Sequence, residues 1–224
     1  MRAIREAALH VSTVDDSVQI RKTAAFRAWL EMLVGDSPAA EMYFLSADRL
    51  ELANELFSKH LYSLRGAWWG EFLARTGRPG PARTLTDSNR TITTLRGWQE
   101  DVARCDRILA RLDLMAGNPV AAKQRLVMAA TTFRDGHYLV ELAATLPILA
   151  DSARASGDLA AATRHVEETL NIAGPRGRIL SQAAALAVRR RDQHDPSRTV
   201  ADRRIARALT RPLTCGFSTI LPSL

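Results

Sequence analysis

The sequence predicts an all-α protein built from stacked antiparallel helix pairs, about 40 residues to a pair. Three observations lead there. The composition is rich in Ala and Leu and only 6% aromatic, which favours helix over sheet. A Gly followed five residues later by an Ala recurs at a nearly constant interval. Apolar residues fall at helical spacing, and strand-type alternation is not sustained anywhere along the chain.

Four segments carry the recurrence: Gly35 to Ala40, Gly77 to Ala82, Gly117 to Ala122 and Gly157 to Ala162, with the glycines 42, 40 and 40 residues apart. Seven residues before each Gly stands a small residue: Ala28, Gly70, Ala110 and Ala150. Four residues after each Ala comes Phe44, Thr86, Leu126 or Val166, and three further on comes Ala47, Asn89, Ala129 or Thr169. A helical hairpin explains the pattern. Gly ends the first helix because a left-handed residue is cheapest there. Asp36, Asn118 and Asp158, directly after a Gly, are placed to cap the second helix. Pro near that start is tolerated because its missing N–H has no helical partner to lose. Small residues at fixed positions let the two helices approach closely.

Taken in order, the large residues of the first helices are irregular, with Arg27 where an apolar residue is expected. The second offers Leu61, Leu64, Trp68 and Phe72 as an apolar face. The third has Val102, Cys105, Leu109 and Leu112 on one helix and Ala122, Leu126, Ala129 and Phe133 on the next. In the fourth, Leu142, Leu146, Leu149 and Ala153 are followed by Ala162, Val166, Leu170 and Ala173, and Pro147 is expected to kink its helix. Residues 1–16 read as a partial or capping helix, with Asp15 and Asp16 placed to cap the helix that starts near Ser17. The four hairpins occupy 17–175, a degenerate basic fifth hairpin 176–211, and an irregular tail 212–224.

The small residue in the first helix, the Gly at the turn and the Ala early in the second helix resemble the tetratricopeptide repeat over about Thr23 to Ala173. The longer period is similar to that of the sensor arms of bacterial MalT-type regulators and STAND-type signalling ATPases. The resemblance implies a right-handed superhelix, an α-solenoid, whose concave face receives a partner or inducer. It also implies that nucleotide-binding and output modules are separate from the array.

Charge is distributed unevenly. Between Arg176 and Arg211 ten arginines face three aspartates, which accounts for the whole formal net charge of +7. Arg189, Arg190, Arg191, Arg203, Arg204 and Arg207 form a basic patch there. Such a patch would bind nucleic acid or another anionic surface in a salt-dependent way, but the segment has no aromatics for base stacking and no reader motif. Nucleic-acid binding is therefore the alternative reading and is not favoured. Arg104, Arg107 and Arg111 form a second basic stripe, on the first helix of the third repeat. In the tetratricopeptide pattern this stripe lines the groove, where arginine forks suit a carboxylate or phosphate. The competing reading is a solvated face paired with acids of adjacent helices. Trp68 is expected in the core, whereas Trp29, Trp69 and Trp98 are candidates to line a groove.

No catalytic set assembles from the sequence. No Gly is followed by Lys, so a phosphate-binding loop is missing. The five histidines are scattered singly and the two cysteines, Cys105 and Cys215, form no paired motif, so no metal site, cofactor or disulfide framework is expected. No apolar run approaches the roughly 20 residues of a membrane helix, and the charged start does not read as a signal peptide. The expectation is a cytoplasmic, non-enzymatic interaction scaffold, a sensor or regulatory module that binds a protein, a peptide or a small inducer.

Overall fold

The computed structural model describes residues 17–53 and 60–173. The expected N-terminal cap, the basic fifth hairpin with its arginine patch, and the tail lie outside the described residues. Within them the chain is all-α: α1 (Ser17–Val34), α2 (Ser37–Ala53), α3 (Ser63–Arg75), α4 (Pro79–Leu95), α5 (Gln99–Met115), α6 (Pro119–Asp135), α7 (Leu139–Ala155) and α8 (Leu159–Ala173). Consecutive helices pair as α1 with α2, α3 with α4, α5 with α6 and α7 with α8. The chain divides into two compact units at Gly97 and Trp98, so α1 to α4 form one and α5 to α8 the other. None of these helices is long and apolar enough to cross a membrane.

The bends explain the regularity. Gly35, Gly77, Gly117 and Gly157 all adopt the left-handed conformation, with φ of 86°, 75°, 78° and 80°. At each of them the amide one residue beyond returns to the carbonyl five residues back: Asp36 to Glu31 at 2.9 Å, Arg78 to Leu73 at 3.0 Å, Asn118 to Asp113 at 2.8 Å and Asp158 to Ala153 at 2.9 Å. The left-handed residue's own N–H donates to the carbonyl three back, for example Gly117 to Leu114 at 3.0 Å. This is the Schellman closure of a helix end, which satisfies carbonyls that would otherwise lack partners.

Glycine spacing understated the repeat. Gly97 (φ 72°) and His137 (φ 56°) are also left-handed, so bends fall at 77, 97, 117, 137 and 157, one after each helix from α3 to α7. At the fourth of these bends the left-handed site falls on His137 and not on the adjacent Gly136, and Tyr138 donates its N–H to the Phe133 carbonyl at 2.8 Å. The Tyr138 ring meets Phe133 edge-on at 6.5 Å, the apolar contact that commonly accompanies this closure.

Caps divide the expectations. The Asp36 carboxylate accepts from the Ala39 N–H at 3.0 Å, and the Asp158 carboxylate from the Ala161 N–H at 2.9 Å. Asn118 stands at the N-cap of α6 but makes no side-chain cap bond. Pro79 and Pro119 open α4 and α6 at positions where no N–H is needed. Pro147 lies buried inside α7, which continues through it from Leu139 to Ala155.

The repeat registers are the core. Gly70 is buried, and every other residue at the four recurring positions is at most 1% exposed, from Ala28, Ala40, Phe44 and Ala47 through Ala150, Ala162, Val166 and Thr169. Polar residues at these registers are satisfied locally, as burial requires. The Thr86 hydroxyl donates to the Ala82 carbonyl at 2.7 Å, and the Thr169 hydroxyl to the His165 carbonyl at 2.7 Å. Asn89 grips the start of α3: its side-chain oxygen accepts from the Ser63 N–H at 2.6 Å and its NH2 donates to the Ser63 carbonyl at 3.0 Å. That grip holds Ser63 at φ 57°, and Gly66 leaves the room it needs, since a Cβ there would stand 2.8 Å from the Asn89 nitrogen.

The bend at His137 generates a direct test. A side chain in the left-handed region carries a steric cost that Gly avoids, so His137→Gly is expected to raise unfolding stability by about 0.5–1 kcal/mol in a denaturant titration. A loss of stability would show that the imidazole contributes more than the backbone strain it imposes.

Candidate partner-binding face

The first helices of the hairpins carry both groups singled out in the sequence. In the second unit, Arg104 and Arg107 point from α5 toward α7 and converge on one carboxylate, Glu141. Arg104 Nε donates to Glu141 Oε1 at 2.9 Å, and Arg107 Nη1 donates to Glu141 Oε2 at 2.5 Å. Arg104 also donates to Asp101 Oδ1 at 2.6 Å and to Glu100, one turn earlier on its own helix. It is buried, and Arg107, itself mostly covered, has its guanidinium 5.9 Å from the Phe133 ring centroid. Arg111 sits half-buried four residues further along the stripe. Glu141 was not singled out by the sequence. Its signal was its place in the first turn of α7, beside the helix that carries the stripe.

Glu141 shows how the arginines act. Burial pushes its carboxyl up, but Arg107 and Arg104 outweigh burial and hold it below the ordinary 4.5. Glu51 in the first unit is the contrast. It takes one hydrogen bond, from Arg21 Nη1 at 3.1 Å, and burial wins over the attraction of Arg21 and Arg65, so its carboxyl is pushed up. Two guanidiniums on the two oxygens of one carboxylate suffice to keep it charged in a covered place.

Other acids of α5 are held from the second helix of the same hairpin. Asp106 and Asp113 are 4% and 7% exposed, and Arg125 of α6 reaches both, at 3.0 and 3.1 Å. Arg134 of α6 pairs with Glu168 of α8 at 2.6 Å near the surface, where such pairs contribute little.

In the first unit the corresponding face is aromatic. Trp29 of α1 and Trp68 of α3 stack at 5.2 Å with planes 21° apart, and Phe26 stands 5.8 Å from Trp29 and 6.1 Å from Trp68. Phe26 is 42% exposed and the two indoles are half-buried. The expected roles of two tryptophans are thereby exchanged. Trp69, a groove candidate, is 5% exposed and stacks on Phe44 and Phe72 at 5.0 and 5.5 Å. Trp68, expected in the core, lies on the ring cluster. The register explains it: Trp69 stands eight residues before Gly77, as buried Leu109 does before Gly117 and Leu149 before Gly157. Arg27 holds the same register in the first repeat, with its guanidinium 4.2 Å from the Tyr43 ring centroid. Trp98, the third candidate, is 41% exposed just ahead of α5.

The two faces are register equivalents. Lys22 stands thirteen residues before Gly35 as Arg104 does before Gly117, and Trp29 six residues before Gly35 as Arg111 does before Gly117. Among the described residues no group of three His, Cys, Asp or Glu side chains is placed to hold a metal ion. Compared with known proteins, the sequence matches no protein-family model and no curated protein.

Glu141→Gln removes the charge that Arg104 and Arg107 share in a covered site, so it is expected to cost about 2–3 kcal/mol near neutral pH. Because the folded carboxyl titrates below its ordinary value, its contribution is present above about 4.5 and is lost as pH falls through the folded value. The stability gap between wild type and Glu141→Gln should therefore narrow on acidification below that point. A gap independent of pH, measured by denaturant titrations across this range, would contradict the assignment.

Proposed function

We propose that this chain is a non-enzymatic interaction scaffold of helical hairpins, a sensor or regulatory module that binds a peptide or protein segment on the faces of its first helices. The observation that carries this reading is the ring cluster of Phe26, Trp29 and Trp68. The repeat registers are covered almost completely, yet three large rings remain partly open side by side on α1 and α3. Aromatic side chains that are rigid, amphipathic and partly open are the groups that anchor partners most effectively. Rigid helices hold them in place, so little ordering is needed when a partner docks.

The resemblance to tetratricopeptide sensor arms accords with this reading, which follows from the face itself. The arginine stripe fits it in a modified form. With Arg104 and Arg107 holding Glu141, an incoming carboxylate or phosphate would have to displace an internal one, so we assign the primary contact to the rings.

A photoreactive phenylalanine analogue at Phe26, compared with the same probe at Thr163 on the exposed side of α8, tests the proposal in cell extract. A discrete adduct formed from position 26 and not from 163 is the expected outcome. The same adducts from both positions, or none from 26, would remove the ring face as the docking site.

A further inference from the structure

The charges around the rings define the partner further. Helix α1 carries one acid, Glu31, and α3 one acid, Glu71, and these are only 3% and 8% exposed. Glu31 has Arg27 at 3.8 Å and Glu71 accepts from Arg75 Nε at 2.6 Å, so neither projects an uncompensated negative charge onto the face. The bases are more open. Lys22 is exposed one turn before Phe26, and half-buried Arg65, which also attracts the buried Glu51 of α2, lies one turn before Trp68. Three apolar rings are thus flanked by ammonium and guanidinium groups with no exposed carboxylate on either helix.

From this complementarity we infer that the α1–α3 face takes an acidic peptide carrying a large apolar or aromatic anchor. The inference rests on the proposed docking face and adds the chemistry of what docks there. The anchor covers Phe26 and the open edges of Trp29 and Trp68, while flanking carboxylates meet Lys22 and Arg65. Single-stranded nucleic acid is disfavoured on the same geometry. Trp29 and Trp68 already cover one face of each other, so they do not offer successive bases a run of free ring faces.

Short capped peptides sharing one central Phe-Leu anchor and flanked by Glu, by Ser or by Lys test the inference on the full chain, read by tryptophan emission in a Trp98→Phe background. The Glu-flanked peptide is expected to bind about tenfold more tightly than the Ser-flanked one, with the difference shrinking as salt rises. Lys22→Glu should erase that preference, and Phe26→Ser should weaken every peptide, with helicity checked by circular dichroism. Equal binding of the Glu, Ser and Lys peptides, still dependent on Phe26, overturns the acidic preference and leaves the docking face standing. No response to any peptide overturns both. Tighter binding of a single-stranded oligothymidylate than of the Glu peptide overturns the inference in favour of nucleic acid.

Discussion

A helix that ends by turning back through one left-handed residue sets the packing of the described hairpins. Closure of the bend by the amide just past that residue uses up carbonyls at the helix end, so the next helix can start within three residues. So short a connection forces adjacent helices into contact along their length, which only small residues permit. Ala28, Ala40, Ala110, Ala122, Ala150 and Ala162 are fully covered for that reason. With these positions fixed, each helix has a defined inner side, and the residues on the remaining side of a first helix are displayed at known registers.

Much of this was legible in the sequence because Gly and Ala are chosen by backbone geometry and by distance of approach, neither of which depends on distant parts of the chain. The buried registers follow directly from the Gly-to-Ala interval. Other features leave no such mark in the sequence, for physical reasons. The bend at His137 carries no glycine at the left-handed site, and Gly97 lies between hairpins with Val102, not Ala, five residues on. The roles of Trp68 and Trp69 were exchanged because adjacent large aromatics both satisfy helical periodicity, and only alignment on the following Gly separates them. Asn89 and Thr86 stand at core registers although polar, since each finds a backbone partner within reach.

The candidate face was half legible. The stripe of Arg104, Arg107 and Arg111 was visible as a run on one helix face, but its counter-charge lies one hairpin away in sequence, and pairing across helices cannot be read from spacing on one of them. Glu141 makes the stripe a bridge between α5 and α7 in place of an open cationic surface. In the first repeat the equivalent registers hold Lys22 and Trp29, and no exposed acid on α1 or α3 neutralises them. One scaffold register thus serves internal bracing in one hairpin and outward display in another. Repeat proteins allow this because each hairpin is held chiefly by its neighbours.

The bend that closes α1, α3, α5, α6 and α7 underlies the packing of the described helices. Amide hydrogen exchange followed by NMR tests it most directly. The N–H groups of Asp36, Arg78, Asn118, Tyr138 and Asp158 each donate to a carbonyl five residues back. These bend amides are expected to be protected to nearly the same degree as the helices that flank them. Exchange at these five positions as fast as in an open loop would contradict it.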